Sequence, residues 1–391
     1  MRGKGSGVRG LGLGLESEVI TFAHGSGGRK MHRLIRQVFV RHFGNPMLRR
    51  LEDAAEFKIR GQGSGVGGQR ADIRLALTTD SYVVQPLFFP GGDIGKLAVC
   101  GTVNDLAVKG ATPRYLSAGF IIGTGFPIEQ LDAICRSMAR TARKAGVEII
   151  TGDTKVVQTG SKGAREQGSK NQWSGVGEWP DDSLNPRTPE PLNPELFINT
   201  SGVGSFEHNL RFGPENIRTG DKVLINGTIG DHEAAIVLAR GEFDFHAQLK
   251  SDCAPLNGLI ARLIRGGGRI RMMRDPTRGG VATTLNEIAD AAGLGIILDE
   301  RALPIRPEVR GVCELLGLEP PYLANEGKVL CVVARGDEDK LLKTMQGHAL
   351  GRSGAIIGEV TREYRGVWLR TALGSLRPLL MLEGQHLPRI C

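Results

Sequence analysis

The chain has 391 residues, enough for two domains with full cores, and 56 of them are glycine. No apolar run approaches the ~20 residues that span a bilayer, and the N-terminal stretch lacks the apolar core of a signal peptide, so a cytoplasmic protein with no membrane role is expected. The net charge of +8 is concentrated in residues 1–74, which hold 14 Lys and Arg against 6 Asp and Glu. No zinc finger, helix-turn-helix or aromatic-interleaved basic motif accompanies it, so a solvated basic face or a docking surface for an acidic partner is expected rather than nucleic-acid binding.

In chain order, residues 1–17 read as a flexible leader. Val19–Ala23 suggests a short strand, running into His24-Gly25-Ser26-Gly27-Gly28-Arg29. A helical pattern follows, with Met31, Leu34, Ile35 and Val38 on one face. Glycines at a helix N-terminus leave backbone N–H groups and a positive dipole end, which suits phosphate; the alternative is a tight turn alone. Residues 60–72 read as a loop, and Leu75–Thr79 as a strand delivering Asp80 at its end. Asp93 is a good N-cap for a helix whose stripe includes Leu97, Ala98, Asp105 and Val108. Asn104-Asp105 interrupts that apolar stripe, and a buried carboxylate requires a cation or hydrogen bonds.

Leu116–Ile122 reads as a strand, and Pro127 opens an amphipathic helix closed by Gly146. Val147–Ile150 is the next strand and delivers Gly152-Asp153-Thr154-Lys155. Acids at strand ends, Asp80 and Asp153, with Asp105 on a helix, suit Mg²⁺ and substrate phosphates. The GxxxxGK[ST] phosphate loop is absent. Residues 158–194, rich in Gly, Pro, Ser and charge, read as a disordered insertion in the first domain, with Trp173 and Trp179 as a possible docking pair.

A second domain is expected after about residue 205. Val223–Asn226 is its first strand, and Asp231 caps the helix that follows. Asp275-Pro276-Thr277-Arg278-Gly279-Gly280 reads as a capped helix start with Asp275 as the cap, or as an anion site. Glu326 sits on a turn before the strand Val329–Val333. The six cysteines (100, 135, 253, 313, 331 and 391) form no CxxC pair, which argues against a zinc knot or disulfide framework. Five read as small buried hydrophobes. Cys391 follows His386-Leu387-Pro388-Arg389-Ile390, and Pro388 favours an extended tail. That tail is either a tether carrying a thiol or a frayed terminus.

Taken together, His24-Gly25-Ser26-Gly27-Gly28, Asp80, Thr102-Val103-Asn104-Asp105-Leu106-Ala107, Gly152-Asp153-Thr154-Lys155, Asp275–Gly280, Asn325-Glu326-Gly327 and Pro388-Arg389-Ile390-Cys391 resemble, in that order, the HypE carbamoyl dehydratases of [NiFe]-hydrogenase maturation. The likeness runs over residues 18–391 apart from the insertion. The wider superfamily holds aminoimidazole ribonucleotide synthetase, selenophosphate synthetase and thiamine-monophosphate kinase. The resemblance implies an α/β (α+β), PurM-like architecture. It would have an N-terminal ATP-binding and dimerisation domain (18–205) on a mixed four-stranded sheet, a C-terminal α/β domain (206–380) and a flexible tail (381–391). It implies a homodimer using ATP and Mg²⁺.

By the same resemblance, His24, Gly25, Gly27, Gly28, Asp80, Asn104, Asp105, Asp153, Thr154 and Asp275 bind nucleotide, with Asp80, Asp105, Asp153 and Asp275 as metal candidates. A HypF-like carbamoyl transferase would load Cys391, ATP-driven dehydration would convert the carbamoyl group to a thiocyanate, and a HypC–HypD-like complex would accept the cyano group. Lys155 and Glu326 are the implied proton-handling residues, and Glu326 needs a raised pKa for that task. A sibling synthetase forming selenophosphate or an amidine, and a non-catalytic docking scaffold, are the competing readings. The lack of any Cys before Cys100 counts against selenophosphate.

Overall fold

The computed structural model describes residues 20–25, 27–60, 72–158, 195–241, 248–382 and 390. The leader, most of the 60–72 loop, the insertion with its two tryptophans, and Cys391 lie outside the described residues. At the N-terminus a 3₁₀ turn, Phe22–Gly25, stands where a strand was expected. It leads into helix α1 (Arg29–Leu34), a π-turn (Ile35–Phe39) and α2 (Val40–Phe43). Next come strands β1 (Ala55–Arg60) and β2 (Asp72–Tyr82), and the short pair β3 (Phe88–Phe89) and β4 (Gly92–Asp93). They are followed by α3 (Ile94–Val108), β5 (Thr112–Gly123), α4 (Ile128–Ala145), β6 (Glu148–Val157) and β7 (Leu196–Ser205).

The first sheet has the order β1-β2-β7-β5-β6, with β5 and β6 parallel and the other neighbours antiparallel. It is mixed as the resemblance implies, with one strand more than the four expected. Helices α3 and α4 cover one face. The Asp93 carboxylate accepts hydrogen bonds from the backbone of Gly95 (2.8 Å) and Lys96 (3.0 Å), capping α3 as its sequence requires. That helix is buried nearly all round rather than along one stripe, because the second domain packs on its far side.

The second sheet is built from β8 (Lys222–Ile225), β9 (Ile270–Arg274), β10 (Gly295–Asp299), β11 (Leu330–Val333), β12 (Ala355–Thr361), β13 (Gly366–Arg370) and β14 (Leu376–Pro378). Its order is β14-β13-β10-β12-β8-β11-β9. Helices α5 (Asp231–Ala239), α6 (Asn257–Arg265), α7 (Gly280–Ala292), α8 (Pro307–Leu316) and α9 (Glu338–Gln346) accompany it.

Two helix starts depart from expectation. Asp231 is the first residue of α5 and Gly230 is its cap. Helix α7 starts at Gly280 with Gly279 at φ 76°, so Asp275 lies in the loop ahead of it and caps nothing. Both glycines take the left-handed backbone that a side chain resists, and at α7 this moves the helix start past the Asp275-Pro276 pair.

The two domains share one core. Leu97, Cys100 and Val103 of α3 belong to the same buried apolar cluster as Ile236, Cys253 and Ala324 of the second domain, and as Ile390. Asn104 staples the interface. Its amide donates to the Ala254 carbonyl (3.1 Å) and its oxygen accepts from the Leu256 N–H (2.8 Å).

Candidate active site

Three carboxylates meet at the mouth of α3. Asp53 precedes β1, Asp105 lies in the last turn of α3, and Asp275 follows β9. One oxygen from each lies within 4.8 Å of the others. Asp275 is 7 % exposed, so its charge is poorly hydrated. Burial and the neighbouring Asp53 push it up to about 8 against the pull of Arg274. Burial likewise raises Asp53, to about 6, with Arg274 opposing. Burial and the charges of Asp275, Asp80 and Asp53 hold Asp105 well above the carboxylate range, although the Thr78 hydroxyl donates to it at 2.7 Å.

Asp80 joins this field from β2. Burial raises it, while Arg278 and a hydrogen bond from the Tyr82 hydroxyl (3.1 Å) pull it down. A ring of hard oxygen donors that repel one another fits Mg²⁺.

The glycine loop closes over this cluster. Gly27 has φ +80°, and a β-carbon there would sit 2.9 Å from the Arg278 carbonyl, so only glycine lets the loop pack on the Asp275–Gly280 segment. The glycine loop ahead of α1 therefore lies against Arg278, and the first N–H of α1, that of Arg29, donates to the Leu382 carbonyl at 2.9 Å. His24 is partly exposed, and its Nδ1 lies 3.1 Å from the Thr21 nitrogen, so it braces the loop. Arg274 backs the acids: its Nε lies 2.7 Å from Asp53, and its guanidinium also bonds Glu287 (3.0 Å).

Glu326 lies deeper. Its backbone N–H donates to Asp252 (3.0 Å), whose carboxylate also takes the Gly327 N–H (3.2 Å) and the Lys328 ammonium (2.7 Å). Asn325 ties the same turn to Gly230 and Pro276. Burial would raise Asp252, but the Lys328 ammonium and the hydrogen bonds that Asp252 accepts outweigh this and hold it below the usual range. For Glu326, burial is added to by Cys253, Asp252, Asp275 and Asp80, so its carboxyl stands well above the usual range. Burial, and then the charges of Asp80, Asp105 and Glu326, raise the Tyr82 hydroxyl well above its ordinary range, and that hydroxyl lies 3.1 Å from Asp80 and 3.3 Å from Thr102.

Of the expected residues, Asp80, Asp105, Asp275 and the glycine loop therefore converge, with Glu326 within their field. Asn104 does not point at them, because its amide is committed to the interface. Asp153, Thr154 and Lys155 do not join within one chain. Asp80 pairs across the sheet with the fully buried Thr200, whereas Asp153 and Lys155 pair with Gly119 and Ile121 on exposed β6 and its neighbour. Successive strand residues face opposite ways, so Asp153 and Lys155 lie on the sheet face away from α3. There Lys155 bonds Asp153 at 2.8 Å.

Asp53, Tyr82, Arg274 and the Asp252–Lys328 pair were not foreseen. Asp53 stands before β1 with no motif around it. Cys135 is exposed rather than buried. The tail, expected to be a flexible tether, has Ile390 buried at 5 % exposure.

The two-domain fold is that of the AIR synthase related proteins. The model of their N-terminal domain matches residues 53–166 and that of their C-terminal domain residues 218–368. Within that class the chain belongs to the HypE family of carbamoyl dehydratases. It is 43 % identical to carbamoyl dehydratase HypE of Cupriavidus necator, with 97 % of each chain covered. It is 45 % identical to that of Escherichia coli, covering 95 % of this chain and 99 % of the relative. A solved HypE in complex with ATP superposes with TM-score 0.69 at 41 % identity, covering 95 % of this chain and all of the other. A HypE chain from a HypE–HypF complex gives 0.73 at 43 %, covering 89 % and 99 %. A thiamine-monophosphate kinase, AaThiL, shares the fold at 16 % identity and TM-score 0.59.

Proposed function

We propose that this enzyme uses ATP to dehydrate a carbamoyl group carried on the Cys391 sulfur to a thiocyanate, supplying cyanide ligands for a [NiFe]-hydrogenase. The observation that carries the reading is the convergence of a glycine loop, three clustered carboxylates and a buried high-pKa carboxyl in a HypE-family chain. The amide oxygen is a poor leaving group until it is phosphorylated. Transfer of the terminal phosphoryl group of ATP to that oxygen, followed by loss of phosphate and of both N–H protons, leaves S–C≡N with ADP and phosphate as products.

The glycine loop and Arg278 would orient the phosphates, an electrostatic and positional contribution. Asp53, Asp105 and Asp275, with Asp80 beside them, would hold Mg²⁺, which neutralises phosphate charge when bound. Glu326, made more basic by its raised pKa, takes an N–H proton. Asp252 and Lys328 hold its backbone in place. A HypF-like transferase supplies the carbamoyl group, a HypC–HypD-like complex takes the cyano group, and all act in the cytoplasm. Among the described residues no helix is long and apolar enough to cross a membrane.

The chain works as a homodimer through the open sheet face. On that face Ile59, Ile73, Leu77, Tyr115, Ile121, Ile150 and Val157 are all exposed in one chain, a hydrophobic area typical of an interface. Pairing there would set Lys155 and Asp153 against the partner, where Lys155 retains a proton-handling role at the shared cleft.

Incubation with a carbamoyl transferase, carbamoyl phosphate and ATP should add a carbamoyl group to the C-terminal peptide and then remove water in an ATP-dependent step, as read by peptide mass. An unchanged mass with active transferase and ATP would sink the carrier reading. Cys391→Ala should still bind ATP but carry no adduct.

A further inference from the structure

The last described residue is held by a side chain with no part in the chemistry above. His232, in the first turn of α5, is fully buried, and its Nε2 lies 3.0 Å from the Ile390 carbonyl. A carbonyl only accepts, so Nε2 carries the proton. Nδ1 then accepts from the Ser251 hydroxyl at 2.8 Å. Ser251 is free to donate because its oxygen accepts the Cys253 N–H at 3.1 Å. This relay fixes one tautomer and aims one donor at the tail.

Phe89 of the first domain meets the imidazole edge-on at 5.6 Å. Ser251 is itself tied to that domain through its N–H and the Pro90 carbonyl (2.8 Å). The Ile390 side chain lies in the apolar cluster shared by both domains, with Cys100, Ile236, Cys253 and Ala324. If the tail withdrew, the buried Nε2–H would lose its partner and an apolar slot would empty. Both changes are costly, so the seat is built for an occupant.

We infer that His232 is a positioning residue for the carrier tail: its Nε2–H and the slot for Ile390 seat the C-terminus between the domains, which places the next residue's thiol for dehydration. This rests on the carrier role of Cys391. Adjacent Cα atoms are about 3.8 Å apart, so a seated Ile390 confines the thiol to a few ångströms around its own position. Cys253, in the same cluster, precedes Ala254, whose N–H donates to the Glu326 carbonyl at 3.3 Å, so the seat lies beside the turn that carries the proposed base. Loading needs the tail out and dehydration needs it in, so the seat favours the second step at the expense of the first.

The test uses the full chain with its transferase and follows the two steps separately by mass spectrometry. His232→Ala should slow single-turnover dehydration of preloaded protein by about 2- to 12-fold, the range of one lost hydrogen bond. It should leave ATP binding unchanged and load Cys391 at least as fast as the parent. Carboxypeptidase should release Cys391 faster from the variant.

His232→Gln, which keeps an amide donor near the Nε2 position, should recover most of the rate. Ile390→Ala disturbs the seat from the tail side without touching α5, and should slow dehydration and unprotect the tail even if His232→Ala fails to fold. Parental dehydration and protection in Ile390→Ala, or no rescue by His232→Gln in a folded series, would overturn the assignment. If the parent chain never gains a carbamoyl group, the carrier reading fails instead, and tail protection still reports on the seat.

Discussion

Asp275→Asn tests the acid cluster directly. In the folded chain Asp53 titrates near 6 and Asp275 near 8, against 3.8 for the ordinary carboxyl. An unfolded chain releases these protons near pH 4, so between there and pH 8 the folded state binds more protons and stability falls as pH rises. The raised carboxyls of Asp105, Glu233 and Glu326 act in the same sense. His232 and His348, both held below their ordinary range by burial, act the other way, but only below about pH 6.5.

From pH 6.5 to 8, Asp275 alone should therefore cost about 2 kcal/mol at 1.36 kcal/mol per unit. That is roughly 4–8 °C in Tm for a domain of this size. Mg²⁺ binds the ionised trio, so it should restore stability increasingly with pH, by about 2.7 kcal/mol at a hundredfold excess over Kd. Differential scanning calorimetry in EDTA and in Mg²⁺ from pH 6.5 to 8.5 reads both effects. Asp275→Asn should flatten the EDTA profile and lose most of the Mg²⁺ response. A parent profile that is flat in EDTA, or a variant that responds to Mg²⁺ as strongly as the parent, would refute the reasoning.

Asn104→Ala removes the interface amide and strands the buried Leu256 N–H, so it should destabilise by about 1–3 kcal/mol in urea unfolding; an unchanged midpoint would mean that Asn104 is not a staple. Gly27→Ala places a methyl against the Arg278 carbonyl at positive φ, so ATP affinity by calorimetry should drop about tenfold or more while Tm moves little. Equal affinity would remove the glycine loop from the phosphate site. Ile150→Asp puts a charge on the open face of the first sheet and should shift the chain from dimer to monomer in analytical ultracentrifugation. A dimer that survives must form elsewhere.

Much of the local structure was legible because it follows from short-range rules. Asp93 ahead of an apolar run, Pro127 and Gly146 around an amphipathic run, and the branched residues before Asp80 each specify an element through contacts a few residues away. The same rules misplaced Asp275. An Asp-Pro pair is a good helix start, but Gly279 and Gly280 adopt left-handed backbone and delay the helix, which frees the carboxylate for the cleft.

Membership of the HypE family, the glycine loop, Asp80, Asp105 and Asp275 were all set down in the order of residues, because each sits within a motif of several neighbours. Asp53 has no such motif. It matters only because β9 delivers Arg274 and Asp275 to it from more than two hundred residues away. Asp153 and Lys155 read as one site with Asp80, yet the parity of β6 against β5 turns them to the opposite face of the sheet. The tail is the sharpest case: a proline-started terminus reads as a free tether, and only a donor on α5 and an apolar slot shared by two domains show where Ile390 rests. Spacing along a chain determines elements and their caps, whereas the field at a carboxylate and the seat of a terminus are sums over distant residues, which only the tertiary structure brings together.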